Sequence, residues 1–141
     1  MILGIGIDLV EIERMAQLLG RRRERAIARL FTVGEANYAA RRAEPARHLA
    51  ARFAAKEAAF KALAGNDLAR GIGWRDIEVV VHGDGRPSLV LHGTAARRAA
   101  EMGVQRSFIS LTHSDVTAGA VVVLEGEGVG PIAAPGAVGG G

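Results

Sequence analysis

Cysteine is absent from this 141-residue chain, which excludes disulfides and thiolate chemistry and is compatible with a cytoplasmic protein. Aromatic residues make up only 4%, so the core has to come from aliphatic side chains, and 26 alanines inflate the 49% apolar content. No apolar run approaches about 18 residues, so no transmembrane helix is expected. The opening Met1-Ile2-Leu3-Gly4-Ile5-Gly6-Ile7-Asp8 has neither a basic leader nor a long apolar stretch, so no signal peptide is expected. Lysine is the last scarcity. Only Lys56 and Lys61 occur, against 16 arginines.

What is present suits one domain with one core. The net charge is only +3, yet the isoelectric point is near 10.2, and the arginines cluster, which points to an anionic partner or substrate. Residues 2–8 read as a buried strand that delivers Asp8 at its end. Residues 12–30 read as an amphipathic helix with Ile12, Ala16, Leu19, Ile27 and Leu30 on one side. Thr32 and Glu35 have capping-box spacing for a second helix that fades before Pro45. An Ala-rich helix follows from about 47 to Leu63 and stops at Gly65-Asn66.

After that helix the period changes. Ile77–Val81 and Ser88–His92 flank the turn Gly83-Asp84-Gly85-Arg86-Pro87, so residues 76–92 form a hairpin. Thr94 caps a short helix ending at Gly103, and Ser107–Thr112 and Thr117–Leu124 are two further strands. The fold class is therefore α+β. The folded domain spans 1–124, and residues 125–141 read as a flexible Gly/Pro/Ala-rich tail.

Lys56, Glu57 and Lys61 share one helix, where a compact ammonium serves differently from a planar guanidinium. Asp8 at a strand end and Glu57 on that helix form an oxygen pair of the kind Mg²⁺ takes alongside waters and phosphates. Gly4 and Gly6 lack the third glycine and the loop of a dinucleotide fingerprint and fit close backbone approach instead. His82, His92 and His113 have no metal-ligand spacing. On a helical wheel Arg14, Arg21, Arg22, Arg25 and Arg29 fall within about 100° of one another around Leu18, opposite the apolar stripe. That stripe favours an acidic protein partner over nucleic acid, since no stacking platform accompanies it.

Taken in order, the segments from Gly4-Ile5-Gly6-Ile7-Asp8 to Arg14, Phe31-Thr32 with Glu35, and Arg52-Phe53-Ala54-Ala55-Lys56-Glu57-Ala58 with Lys61 form a distinctive series. Asp76-Ile77-Glu78-Val79, Gly85-Arg86-Pro87 and Ser110-Leu111-Thr112-His113-Ser114 continue it. The series closely resembles the holo-acyl-carrier-protein synthases, the short trimeric class of 4′-phosphopantetheinyl transferases, over about residues 1–124. The resemblance implies that fold, with an antiparallel sheet packed against helices in a homotrimer. It also implies a cytoplasmic, Mg²⁺-dependent enzyme of lipid metabolism and fatty acid biosynthesis, without membrane or nucleic-acid partners.

By the same resemblance, Asp8 and Glu57 hold Mg²⁺ against the diphosphate of coenzyme A, and Lys61 contacts the same phosphates. Arg52, Arg86, Pro87, Ser110 and His113 line the coenzyme pocket, with a further phosphate-contacting cation among Arg41, Arg42 and Arg47. Arg14, Leu18, Arg21, Arg22 and Arg25 grip an acidic helix of the acyl carrier protein. The serine hydroxyl of the apo carrier attacks the β-phosphate, with Glu57 or Glu35 taking its proton, and 3′,5′-ADP leaves. Val79, Val81, Ile109, Leu111, Val121 and Val123 are the expected subunit-facing positions. The competing reading is a basic non-catalytic module that docks an acidic protein or nucleic acid, which leaves Asp8, Glu57 and Lys61 without a role.

Overall fold

Glycines at alternate positions of the first strand decide how the molecule is layered. The computed structural model describes residues 1–127. β1 (Ile2–Glu11) pairs antiparallel with β5 (Thr117–Gly126), which pairs antiparallel with β4 (Val104–His113), in the order β1-β5-β4. The long helix α3 (Pro45–Leu63) lies across one face of this sheet. A Cβ on Gly6 would stand 1.8 Å from the Ala58 carbonyl oxygen, and one on Gly4 would stand 2.2 Å from that of Ala62. Strand and helix therefore meet at a distance that only glycine permits.

The other elements enclose α3. α1 (Ile12–Leu30) and α2 (Val33–Ala40) cover one side, and the hairpin of β2 (Ile77–Val81) and β3 (Pro87–Leu91) covers another. Because α3 meets neighbours on several sides, its small residues Ala50, Ala54, Ala55, Ala58 and Ala59 are all fully buried. A helix buried on several sides is a central helix, although α3 also carries Arg47, His48, Arg52, Lys56, Glu57 and Lys61, and alanine is the residue that lets so many elements come close.

Most element boundaries match the sequence reading, with these corrections. β1 runs on to Glu11, past the end expected at Asp8, and is fully buried only at Gly6, and β4 begins at Val104, before the expected Ser107. α1 spans the expected residues but is kinked at Arg22 (φ −145°, ψ 52°), so its arginines do not share one continuous helical face. α5 (Gly93–Met102) begins at His92 with no side-chain cap; Thr94 lies inside the first turn and accepts from Arg97 instead. A short helix, α4 (Asp67–Arg70), capped by the Asn66 side chain, fills a stretch read as a stop. β5 runs through Gly126, past the boundary expected at 124, and the tail expected beyond residue 127 lies outside the described residues. The capping box at Thr32 and the left-handed Gly103 (φ 83°) are as anticipated.

Among the described residues, no layer covers the far face of the sheet. Ile5, Ile7 and Leu9 are 63%, 65% and 67% exposed, and Phe108 is 51% exposed. Register places Val123 between Ile5 and Phe108, and Val121 beside Ile7. The expected subunit-facing set therefore divides. Val121 and Val123 belong to this open face. Val79 is buried in the chain's own core, Ile109 and Leu111 pack against that core, and Val81 lines a pocket with them. Among the described residues no helix is long and apolar enough to cross a membrane.

Candidate active site

The period of two that turns Gly4 and Gly6 toward α3 turns Asp8 the same way, one step beyond the crowded glycines. There the strand and helix diverge enough to admit side chains. Lys61 Nζ donates to the Ile7 carbonyl at 2.9 Å and lies 3.3 Å from Asp8 Oδ1. Glu57, one turn earlier on α3, lies against Asp8. Partial burial, and then the neighbouring Asp8 carboxylate, push its pKa up to about 7, against the opposing pull of Lys61 and Arg14. Two adjoining carboxylates, one with a raised pKa, beside a solvent-exposed cation are a common mark of a functional site.

Asp8 and Glu57 open onto a groove of about 860 Å³ between the end of β1, α1 and α3. Arg14, Leu18 and Arg21 line it, with Met15 and Phe53 forming an apolar floor. Five residues expected to serve two different substrates thus converge on one groove, and Lys61 is held against one of them, Asp8. Arg22 and Arg25 do not: Arg22 is the kink residue and Arg25 lies beyond it, and both sit beside Arg23 and Glu24.

A second pocket of about 280 Å³ is lined by Tyr38, Arg47, His48, Arg52, Pro87, Ser110 and His113. Arg52 is buried, its guanidinium 4.2 Å from the Tyr38 ring centroid, and Arg42 lies 4.1 Å from the same ring. The Nε atoms of Arg47 and Arg52 are buried without a partner among the described residues. Such donors want an acceptor, and a pocket that adds His48 and His113 suits an anion. Burial, then Arg52, Arg42, His113 and Arg47, hold His48 below the ordinary imidazole range. Arg42 and Arg47, both among the causes of that shift, are thus the cations of the Arg41–Arg47 stretch that join the cluster. Arg86 stands apart, tied to Asp84 at the hairpin tip at 2.7 Å.

Glu35 is the clearest correction. It is 1% exposed, and Lys56 Nζ pairs with its Oε1 at 2.7 Å. Its carboxylate also accepts from the Thr32 and Val79 amides at 2.9 and 3.0 Å. Every oxygen is engaged and none faces the groove, so Glu35 is withdrawn as a candidate base. Lys56, treated in sequence as one of a pair with Lys61, points into the interior. Tyr38 and His48 carry no motif; His48 lies one helical turn before Arg52 on α3, and nothing in the sequence signals Tyr38.

Fold and site together define the class. The sequence model of the 4′-phosphopantetheinyl transferase superfamily matches residues 4–121. A holo-[acyl-carrier-protein] synthase of Nitratidesulfovibrio vulgaris is 50% identical over 89% of this chain and 99% of its own length. That of Geobacter metallireducens is 46% identical over 89% of this chain and 98% of its own. A coenzyme A complex of the synthase from Chronobacterium ammoniagenes superposes with a TM-score of 0.76 at 30% identity, covering 88% of this chain and 97% of that one. The chain belongs to the 4′-phosphopantetheinyl transferase superfamily and, within it, to the holo-[acyl-carrier-protein] synthases.

Proposed function

We propose that this chain transfers the 4′-phosphopantetheine group of coenzyme A to a serine of an apo acyl carrier protein. The supporting observation is the meeting of Asp8, Glu57 and Lys61 at a groove whose outer wall is Arg14, Leu18 and Arg21. The serine oxygen forms a bond to the β-phosphorus, the bond from that phosphorus to the bridging oxygen breaks, and 3′,5′-ADP leaves. Glu57 takes the serine proton: its carboxylate lines the groove, whereas Glu35 is enclosed. Lys61 holds positive charge beside the diphosphate, where negative charge builds.

The two carboxylates are hard oxygen donors crowded against each other at an open groove, which fits a divalent cation. Asp8 and Glu57 would hold Mg²⁺, which would neutralise the diphosphate and polarise the phosphorus. No cluster of three or more acidic or histidine ligands occurs among the described residues, as expected for an ion that keeps waters and substrate oxygens.

Arg52, Arg42, Arg47, His48 and His113 suit the phosphorylated adenosine end of the coenzyme. Within one chain their pocket shares no lining residue with the carboxylate groove. The bare face around Ile5, Ile7, Leu9 and Phe108 supports a homotrimer in which one copy's groove faces another's pocket. A cytoplasmic setting, with water-soluble substrates serving fatty acid biosynthesis, completes the reading. Intact-mass spectrometry of apo carrier incubated with coenzyme A, Mg²⁺ and this protein tests it. A gain of one phosphopantetheine is expected; an unchanged carrier would favour the non-catalytic docking module.

A further inference from the structure

We propose that Lys56 is a positioning residue that sets where α3 presents Glu57, an inference that rests on the reading of Glu57 as the functional carboxylate. Lys56 is 0% exposed, and its three donors match three acceptors. These are Glu35 Oε1 at 2.7 Å, the Trp74 carbonyl at 2.9 Å, and the Ile77 carbonyl. Glu35 is fixed in turn by the Thr32 and Val79 amides. The Thr32 hydroxyl donates to Glu78 Oε2 at 2.6 Å, and Glu78 Oε1 lies 3.0 Å from His92 Nε2. One ammonium thus ties α3 to α2, to the turn at Trp74 and to β2.

Stability alone is a weak reason for such a pair, because a buried ion pair is often replaceable by apolar residues at no loss. Direction is a better one. The surfaces that α3 offers the sheet are Ala54, Ala55, Ala58, Ala59 and Ala62, short side chains that interlock little, and apolar contact has no preferred angle. The glycine contacts fix how near α3 comes to β1, and sliding or rolling within that spacing is left to directional contacts to resist. The Lys56 hydrogen bonds penalise both movements, and Glu57 is the next residue, so displacement at one moves the other. Lys61 cannot serve as the anchor, since its ammonium sits 55% exposed at the groove.

The test compares Glu35→Gln/Lys56→Met, in which both buried charges are removed together, with Glu57→Gln and with the triple variant. Folding is confirmed by thermal melting and by solution mass. The double variant should lose kcat about 10- to 100-fold, the usual effect of disturbing groups behind metal-binding residues, with KM for either substrate within about twofold of wild type. Mn²⁺ binding, followed by electron paramagnetic resonance, should weaken by about 10-fold. In the Glu57→Gln background the same double change should cost less than about twofold, because groups that act through one another are not additive. Equal losses in both backgrounds, or a wild-type kcat in the folded double variant beside an inactive Glu57→Gln, overturn the positioning role. A wild-type kcat for Glu57→Gln itself overturns the functional reading beneath it. Should the double variant not fold, Thr32→Ala loosens the same clamp without stranding a charge. It should cost about threefold in kcat only while Glu57 is present, and an unchanged kcat overturns the proposal.

Discussion

Two lysine–carboxylate pairs flank α3, built from the same chemical parts and put to opposite uses. Lys56 and Glu35 are sealed, both side chains 0% exposed, with every donor of the ammonium engaged. Lys61 and Asp8 are 55% and 17% exposed at 3.3 Å, next to a second carboxylate that raises the local negative charge. A saturated pair has no capacity left for a ligand and serves geometry. An unsaturated one, open to water and in excess of acid, has capacity for a cation and phosphate. Residue type does not distinguish structure from chemistry here; the number of unmet valences does.

The strongest test of that contrast removes the open acids. Asp8→Asn or Glu57→Gln should lower transfer at least about 100-fold while the fold survives, in line with lost charge stabilisation at the reacting phosphate. Near-normal turnover that persists after EDTA treatment would break the assignment. On the sealed side the damage should move from rate to stability. Lys56→Met alone strands a buried carboxylate and should destabilise the fold by about 3–5 kcal/mol, whereas Lys61→Met should change stability by less than about 1 kcal/mol. Urea denaturation of both variants decides it, and similar midpoints would erase the distinction.

The bare sheet face sets a second contrast. Ile7→Glu or Val121→Glu should convert a trimeric mass to a monomeric one, with activity lost as the shared sites separate. Ile109→Glu should instead unfold the chain, because Ile109 packs on its own core. Light scattering with circular dichroism separates the outcomes, and a monomeric mass for active wild type would sink the shared-site arrangement. A smaller effect is expected from the groove wall: Arg14→Glu/Arg21→Glu should raise KM for the carrier about 10-fold or more and leave that for coenzyme A nearly unchanged, with added salt weakening carrier binding.

The smallest effect is a fraction of a proton. Since burial and four cationic neighbours lower the His48 pKa, the folded chain binds fewer protons there than the unfolded chain, whose imidazole titrates near about 6.5. The stability contribution from His48 is therefore present above about pH 6.5 and is lost as pH falls through the lower folded value. A phosphate in the pocket offsets the cations and raises that value, so coenzyme A binding should take up protons just below about pH 6.5. Calorimetry in two buffers of different ionisation enthalpy should show this, and His48→Gln should abolish it.

Local signals made much of this legible in sequence. The first strand (though not its end, which lies at Glu11 and not Asp8), the Thr32–Glu35 box, the Ala-rich helix and the hairpin each depend on neighbours within a few residues. Asp8, Glu57 and Lys61 stood out because scarce residue types coincided with a known order of motifs. What escaped depends on distance along the chain. Nothing near Lys56 announces that residues 35, 74 and 77 supply its acceptors. The kink at Arg22 has no proline to signal it. Alternation grouped Val121 and Ile109 alike as subunit-facing, because it marks an apolar face without saying which layer covers it.

The glycine contact between β1 and α3 has an evolutionary corollary. Every single-base change in a glycine codon that alters the residue adds a Cβ, and at positions 4 and 6 that atom would fall within 2.2 Å of a helix carbonyl oxygen. These two positions therefore have no conservative neighbour in sequence space. Selection can reshape the arginine wall and the pocket by single steps, but the spacing between the strand that carries Asp8 and the helix that carries Glu57 is closed to gradual change. Divergence in substrate preference must therefore be written around that spacing.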